Sequence, residues 1–232
     1  MKRLLTVLIA SLLAIVVSAN VSANLIENWN FESDLFDPWE VSDALSESTW
    51  ELNDGTKDPD GPGTPLPPIE GNRDAKSSPV KPGSSSLSQS FTVPTGFITF
   101  ASLSWSDRIE NFAEYFVAGQ QEFRVEILDG TDAIIQEIFS TAPGDPPVQL
   151  GPTRRSSQDL GIDLASILQP FAGQLLQLNF AEFHENSYMN ITLDNVELLV
   201  ETTPVPEPAT LLLLGGGLLG LAGYSRCRRH RK

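Results

Sequence analysis

The stretch EFRVEIL at residues 122–128, followed by DGTD at 129–132, decides the fold class of this chain. Apolar Phe123, Val125 and Ile127 alternate with charged neighbours, which is the two-residue period of a strand with one buried face. The DGTD segment is typical of a hairpin turn, so residues 133–140 are predicted to form the partner strand. This region therefore predicts antiparallel β-structure.

The same alternation recurs elsewhere in the chain, at residues 87–93, 176–180 and 191–200. In the last of these segments the apolar parity changes at Asp194-Asn195, which predicts a β-bulge or bend there. Helical periodicity is limited to one short turn at 163–168, which Asp163 is expected to cap. The predicted fold class is all-β, a single β-sandwich.

Two segments rich in Pro and Gly, residues 53–82 and 142–152, interrupt the alternating pattern. Such residues favour turns, and long segments of this composition run over the surface of a domain. We expect both to be long surface loops of the sandwich.

The formal net charge of the 232-residue chain is −15, and it is unevenly distributed. Both ends are basic, whereas residues 24–204 hold 8 Lys and Arg against 29 Asp and Glu. A body this acidic excludes nucleic acid as a partner, because duplex-binding proteins need a positive surface for the phosphates. The single cysteine, Cys227, excludes an intramolecular disulfide framework and a Cys-rich zinc site.

Residues 1–23 have the three parts of a secretory signal peptide. Lys2 and Arg3 precede an apolar run at 4–17, and small residues then offer cleavage sites after Ala19 or after Ala23. We predict cleavage, because polar Asn and Ser follow the apolar run directly. The alternative is a signal anchor that is retained.

The C-terminus has three parts: a linker at 202–208, an uncharged apolar segment at 209–225 and a basic tail at 226–232. The apolar segment is predicted to be a single transmembrane helix. As a helix, its uncharged run would be about 24 Å long, slightly less than the hydrocarbon core of about 30 Å. The tail residues Arg226, Arg228 and Arg229 are expected to stay in the cytoplasm by the positive-inside rule. A permanent tail anchor of marginal length is the alternative.

Pro206-Glu207-Pro208, the apolar run with its Gly interruption and the Arg-rich end together resemble the PEP-CTERM sorting signal of Gram-negative bacteria. The resemblance implies recognition by an exosortase, a membrane-embedded, cysteine transpeptidase-like enzyme. It also implies a transient stay in the inner membrane, processing near the motif, and delivery to the cell surface or extracellular matrix. Because such proteins often accompany exopolysaccharide production, an exopolysaccharide is an expected partner.

The body, residues 24–201, resembles the jelly rolls of galactose-binding-like domains, which include several carbohydrate-binding modules. The resemblance lies in NLIENWNFE at 24–32, in the later Trp39, in residues 159–180 and in ITLDNV at 191–196. Trp29 is a departure, since the family pattern has Gly at that position. The resemblance implies a jelly-roll topology for the predicted sandwich.

In that family, an acidic residue after the first-strand Phe and the Asp of the last strand help to bind a structural Ca²⁺. The corresponding residues here are Glu32 and Asp194. Carboxylate oxygens suit Ca²⁺, which takes six to eight oxygen ligands. The alternative is that both carboxylates cap turns or bind backbone amides.

Sugar binding calls for aromatic faces in an exposed groove, and Trp50, Trp105 and Tyr115 are the candidate residues. The alternative for each is packing in the core, where Trp39 is expected to lie.

An enzymatic function is not predicted, and no catalytic residue is assigned. His184, the one His in the body, is expected at the surface, and no Gly-x-Ser-x-Gly motif accompanies it. The predicted function is a noncatalytic, exported surface or matrix protein that binds carbohydrate. A secreted polysaccharide hydrolase and a structural adhesive without sugar binding are the alternatives.

Overall fold

The computed structural model describes residues 21–43, 48–58, 63–79, 81–143 and 151–203, which belong to one unit, Asn20–Thr203. Residues 1–20 of the predicted signal peptide, the Pro206–Pro208 motif, the apolar segment 209–225 and the basic tail lie outside the described residues. Within the described part of the chain, no helix is long and apolar enough to cross a membrane.

The described chain forms β-strands, one short helix and one 3₁₀ turn. In chain order the elements are β1 (Val21–Asn24), β2 (Glu40–Asp43), β3 (Ser48–Asn53), β4 (Asp74–Pro79), β5 (Ser84–Thr92), β6 (Phe97–Asn111), β7 (Gln121–Leu128), β8 (Ile134–Ser140), β9 (Thr153–Ser156), α1 (Leu164–Leu168), the 3₁₀ turn Gln169–Phe171, β10 (Leu175–His184) and β11 (Met189–Thr203).

These strands form two antiparallel sheets. Sheet A has the order β3-β4-β11-β6-β9, and β1 pairs with the second half of β11. Sheet B has the order β2-β5-β10-β7-β8. The two sheets pack as an all-β sandwich, which confirms the predicted fold class.

The core lies between the sheets and is built from the alternating inward positions of each strand. In sheet B, Phe180 on β10 pairs with Leu87 on β5 and with Val125 on β7, and all three are fully buried. Rings from both sheets and from the N-terminal segment surround Phe180; they belong to Trp39, Trp105 and Phe123. Each such side chain contributes about 1.5–3 kcal/mol through burial. The expected core position of Trp39 is confirmed, since its exposed fraction is 5%.

Three local predictions are confirmed. The β7–β8 hairpin turns at Asp129, whose carboxylate accepts the backbone N–H of Thr131 at 2.8 Å. The register of β11 shifts between Asp194 and Glu197, and a left-handed Asn195 (φ 52°) forms the bulge. The carboxylate of Asp163 caps α1.

Other predictions about the elements are wrong. The resemblance at residues 24–32 implied a first strand there, but residues 25–39 form turns, and Asn28 and Phe31 have positive φ angles of 44° and 51°. The predicted loop 53–82 contains β4, the central partner of β3 and β11. Strand β4 was not predicted because its sequence, DAKSSP, is polar and short.

The Pro-rich segment before β4 lies on the outer face of sheet A. Arg108 donates a hydrogen bond to the Pro67 carbonyl at 3.1 Å, and Lys76 donates one to the Lys57 carbonyl at 3.2 Å. The backbone N–H of Ile69 donates to Asp74 at 2.8 Å. The described parts of this segment are therefore anchored to the sheet by polar contacts.

An ion pair within sheet A lies close to strand β8 of sheet B. The guanidinium of Arg155 on β9 pairs with the fully buried Asp107 on β6, and Trp105 Nε1 donates to the same carboxylate at 2.8 Å. The Arg155 guanidinium also lies 4.3 Å from the ring centre of Phe139 on β8. Burial raises the pKa of Asp107, and the hydrogen bond and charge of Arg155 oppose that shift. The contact of Arg155 with Phe139 therefore connects an edge strand of sheet A to an edge strand of sheet B.

Candidate functional site

The structure places the three candidate sugar platforms in different environments. Trp50 is 4% exposed and Trp105 is fully buried, so both rings pack in the core and neither presents a face to a ligand. This corrects the expectation for these two residues: each lies on the inward parity of its strand. Tyr115 is 55% exposed in the segment after β6, and its role in binding stays a prediction.

The structure brings Glu32 and Asp194 to the same short loop, residues 69–73. Glu32 Oε1 accepts the backbone N–H groups of Asn72 at 2.6 Å and Arg73 at 3.1 Å. Asp194 Oδ2 accepts the backbone N–H of Glu70 at 3.0 Å. Both carboxylates thus hold backbone amides, which was the alternative to a calcium role.

The electrostatics around Asp194 nevertheless suit a cation. The pKa of Asp194 is raised to about 7, mainly by burial. The negative charges of Asp74 and Glu70 add to this increase. Hydrogen bonds from Asn72 lower the pKa of Glu32, which keeps that carboxylate ionised. Within the described ranges, however, no group of three or more His, Cys, Asp or Glu side chains could hold a metal ion. Two carboxylates would need backbone carbonyls and water to complete a calcium shell, so calcium stays a prediction.

A groove of about 290 Å³ lies on the outer face of sheet B. The inward positions of β10 are Leu176, Leu178 and Phe180, so the intervening residues Asn179, Ala181 and Phe183 face outward. The residues that line it come from β2, β5, β7, β10 and the start of β8: Ser42, Ser84, Ser85, Ser86, Arg124, Glu126, Leu128, Asp132, Ile134, Asn179, Ala181 and Phe183. We call this feature the outer groove.

Arg124 lies in the outer groove, above the ring of Phe183. Its guanidinium carbon is 4.5 Å from the ring centre, the geometry of a cation–π contact. Its Nε lies 3.3 Å from Glu126 Oε1 and 3.8 Å from Glu122 Oε2. The two carboxylates stand two residues before and after Arg124 on β7, so the strand period places all three on one face. These contacts hold the guanidinium against the Phe183 ring, with its Nε side toward the two carboxylates.

Hydroxyl and amide groups form the other side of the outer groove. Ser84 and Ser86 alternate outward along β5, and Ser42 lies beside them because β2 pairs with β5 at Ser42↔Ser86. Asn179 lies between these serines and Glu126, to which it donates a hydrogen bond at 3.1 Å. Such groups can both donate and accept hydrogen bonds. The outer groove therefore suits a ligand that carries many hydroxyl groups.

None of the residues of the outer groove was predicted from the sequence. The sequence does contain one indication of this groove, the serines at alternate positions of SSSLSQS in β5. Arg124, Glu126 and Asn179 stand in different strands, and the sheet register alone brings them together.

His184 is buried, so its expected surface position is wrong. It is 2% exposed because it continues the inward parity of Phe180 through Glu182. His184 Nε2 lies 2.8 Å from the Lys81 carbonyl oxygen, and Nδ1 lies 3.8 Å from Glu182 Oε1. Burial raises the pKa of Glu182 to about 8, although the hydrogen bonds from Ser77 and Ser85 lower it in part. His184 and Glu182 point into the sandwich interior and are not among the residues that line the outer groove.

Comparisons with known proteins identify the C-terminal signal. Residues 204–229 match the family model of the PEP-CTERM protein-sorting motif, which confirms the resemblance found in the sequence. No curated protein sequence matches the chain.

Several solved structures are similar to the described sandwich at low identity. TmCBM61 in complex with β-1,4-galactotriose is 13% identical, with a TM-score of 0.45, over 76% of this chain and 97% of that one. A structure of carbohydrate-binding modules from the β-sandwich superfamily is 14% identical, with a TM-score of 0.47, over 76% and 62% of the two chains. A cleaved adhesin domain of Lys-gingipain from Porphyromonas gingivalis is 14% identical, with a TM-score of 0.45, over 78% and 99%. These values are too low to transfer any residue role.

Proposed function

We propose that this chain is an exported protein, sorted to the cell surface through its C-terminal motif, whose sandwich body binds a glycan in the outer groove without hydrolysing it. The outer groove is the observation that carries the proposal. It combines hydroxyl and amide groups, a fixed guanidinium and an aromatic ring on one open sheet face. Pockets that hold small ligands likewise place a few polar groups on a rigid scaffold.

A glycan fits this chemistry better than the other ligand classes. The acidic body disfavours nucleic acid, and a purely apolar ligand would leave the serine hydroxyls of the groove without ligand partners. Sugar hydroxyls can exchange hydrogen bonds with serine, asparagine and guanidinium groups at the same time.

Blocking the outer groove tests glycan binding. The full chain, purified in detergent, is applied to a glycan array with a Ser86→Trp variant, in which the indole fills the groove. Binding to the same glycans should fall at least tenfold. The matched control is Ser90→Trp, since Ser90 is an exposed residue of the same strand outside the lining of the groove. Equal binding by the Ser86→Trp variant and the unchanged chain would contradict the proposal.

The absence of hydrolysis is part of the proposal, and one structural observation supports it. Glycoside hydrolysis requires two carboxyl groups on either side of the scissile bond. Two carboxylates line the outer groove, Glu126 and Asp132, but Glu126 is 3% exposed and is engaged by Asn179 and Arg124. Incubation with bound glycans should release no reducing sugar, and measurable release would favour the hydrolase alternative.

Sorting through the C-terminal motif is tested separately. Replacing Pro206-Glu207-Pro208 by Ala-Gln-Ala should leave the chain in the inner membrane of a Gram-negative host that has an exosortase. Cell fractionation with intact-mass measurement of the product reports both location and processing. Unchanged surface delivery of this variant would contradict a role for the motif.

We also propose a structural calcium ion at Glu32 and Asp194, supported by the uncompensated negative charge around Asp194. Calorimetric titration of the full chain with CaCl₂ should show binding, and EGTA should lower the melting temperature. A variant with Asp194→Asn should lose both effects. Absence of heat and of any melting shift with EGTA would contradict the ion.

A further inference from the structure

The guanidinium of Arg124 has unused hydrogen-bond donors. Its Nε side faces Glu126 and Glu122, and its plane lies on Phe183. Within the residues that the structure describes, neither terminal nitrogen of Arg124 donates to a protein acceptor. A guanidinium offers its donors in a rigid, planar fork, so these nitrogens form a ready pair for two neighbouring oxygens of a ligand.

The two carboxylates beside Arg124 are committed to protein groups. Glu122 accepts the backbone N–H of Gly119 at 2.6 Å and the hydroxyl of Ser140 at 2.5 Å. Glu126 accepts the amide of Asn179 at 3.1 Å, and both carboxylates belong to residues that are 3% exposed. They therefore orient the guanidinium and are not available as ligand contacts.

The charge of the outer groove opposes an anionic ligand. The charged residues that line it are Arg124, Glu126 and Asp132, so the lining has one more negative than positive charge. Glu122 lies directly behind Arg124 and adds a further negative charge. At a physiological Debye length of about 8 Å these charges act on any group inside the groove. The body as a whole is also strongly acidic, which adds a long-range repulsion.

We infer, on the basis of the proposed function, that the outer groove selects uncharged glycans over uronic-acid glycans, and that Arg124 is the specificity-determining residue. Its terminal nitrogens donate to two adjacent hydroxyl oxygens of one sugar ring. The serines of β2 and β5 and Asn179 bind the neighbouring hydroxyls. A carboxylate at the sugar C6 would lie within range of the negative charges of Glu126 and Asp132, and their repulsion offsets the attraction of Arg124.

Matched sugars test the charge selection. The full chain is titrated with oligosaccharides of β-glucan, β-galactan and α-mannan, and with the C6-oxidised counterpart of each at equal length and linkage. For the sugars that bind, we expect the neutral form to bind at least tenfold more tightly at 50 mM NaCl. The difference should narrow at 500 mM NaCl, because salt screens the repulsion.

Variants then test the role of Arg124. Arg124→Met keeps the contact with Phe183 but removes the donors, and it should weaken neutral-sugar binding at least tenfold; Arg124→Lys should recover little, because an ammonium lacks the fork. The Glu126→Gln variant should show a smaller difference in affinity between the neutral and the oxidised sugars. The matched control is Arg154→Met, since Arg154 is an ion-paired arginine on sheet A, outside the groove. Melting curves establish that each variant is folded.

The outcomes separate the two proposals. Equal or tighter binding of the oxidised sugars overturns the charge selection and leaves glycan binding intact. Unchanged neutral-sugar binding by a folded Arg124→Met variant overturns the role of Arg124. If neither form of any sugar binds, the proposed function fails, and this inference fails with it.

Discussion

The outer faces of the two sheets differ in what lies on them. On sheet A, the described parts of the Pro-rich segment bind Arg108, Lys76 and Asp74, all of which are at most 8% exposed. On sheet B, the corresponding outward positions Ser84 and Arg124 are half-buried and line a groove. Polar residues occupy both faces, yet one set holds the protein's own backbone and the other is open to a ligand.

This difference teaches that polar side chains on one face serve structure, whereas those on the other face are the groups to which the proposed function assigns recognition. The two roles are distinguishable by experiment. Substitutions under the Pro-rich segment should lower the free energy of unfolding, whereas substitutions in the outer groove should change binding and leave stability nearly unchanged.

The largest effect is expected for Asp74→Ala. Its carboxylate accepts the amide of Asn53 at 2.8 Å and the backbone N–H of Ile69 at 2.8 Å, and Asp74 is fully buried. Removing both contacts should lower the free energy of unfolding by about 3 kcal/mol at pH 8. Urea denaturation measures this value. The matched variant on the other face, Ser86→Ala, should lower the free energy of unfolding by less than about 0.5 kcal/mol. Equal losses of stability in the two variants would contradict the difference between the faces.

The second prediction concerns the interior between the faces, where Asp107 pairs with Arg155 and Glu182 lies 3.8 Å from the ring of His184. Burial raises the pKa of Glu182 from 4.5 to about 8, and the facing groups are His184, Ser77 and Ser85. Its contribution to stability is fully present below pH 4.5 and is lost as pH rises through about 8. Between pH 6 and 8 the free energy of unfolding should therefore fall by about 2 kcal/mol.

A Glu182→Gln variant provides the control for this pH dependence. Gln keeps the shape and hydrogen bonds of Glu182 but does not ionise. Its stability, measured by urea denaturation from pH 5 to 9, should show a flatter profile than that of the unchanged chain. Parallel profiles for the two chains would show that another group is responsible.

The third prediction concerns β1, which extends sheet A through the pairs Val21↔Thr202, Ser22↔Glu201 and Ala23↔Val200. Cleavage after Ala19 preserves this strand, whereas cleavage after Ala23 removes these three pairings. A chain that starts at Asn24 should be less stable by about 1–2 kcal/mol than one that starts at Asn20, because it loses several backbone hydrogen bonds. Thermal melting of both forms tests this prediction, and identical melting temperatures would contradict it.

The smallest effect is expected for Arg108→Met. It removes the hydrogen bond to the Pro67 carbonyl but keeps most of the apolar stem. The cost should be about 1 kcal/mol or less, accompanied by faster cleavage within residues 63–73 by a nonspecific protease. An unchanged cleavage rate would mean that this contact does not hold the segment on sheet A.

Much of sheet B was predictable, because most of its central strand residues alternate between apolar and polar. Strands β5, β7 and β10 place Leu87, Val125 and Phe180 on the inward side with the expected parity. The hairpin at Asp129 and the bulge at Asn195 were predictable as well, since both follow from local turn chemistry and a break in parity.

The candidate site was not predictable to the same degree. Trp50 and Trp105 were selected by residue type, and the parity of their strands places both in the core. His184 was expected at the surface although it shares its parity with Phe180; extending the alternation by four residues would have found it. Strand β4 was missed because its stability comes from pairing with β3 and β11, and its own residues show no apolar pattern.

The sequence by itself determined the sorting motif at 204–229, the acidic body and the all-β class. These features depend on the order and period of residues along the chain, which local chemistry interprets without a fold. The tertiary structure decided which polar residues meet: Ser42, Ser86, Asn179 and Arg124 are distant in sequence and adjacent in sheet B. Strand register fixes such neighbours through contacts across the whole sandwich, and a one-residue shift would move each of them to the opposite face.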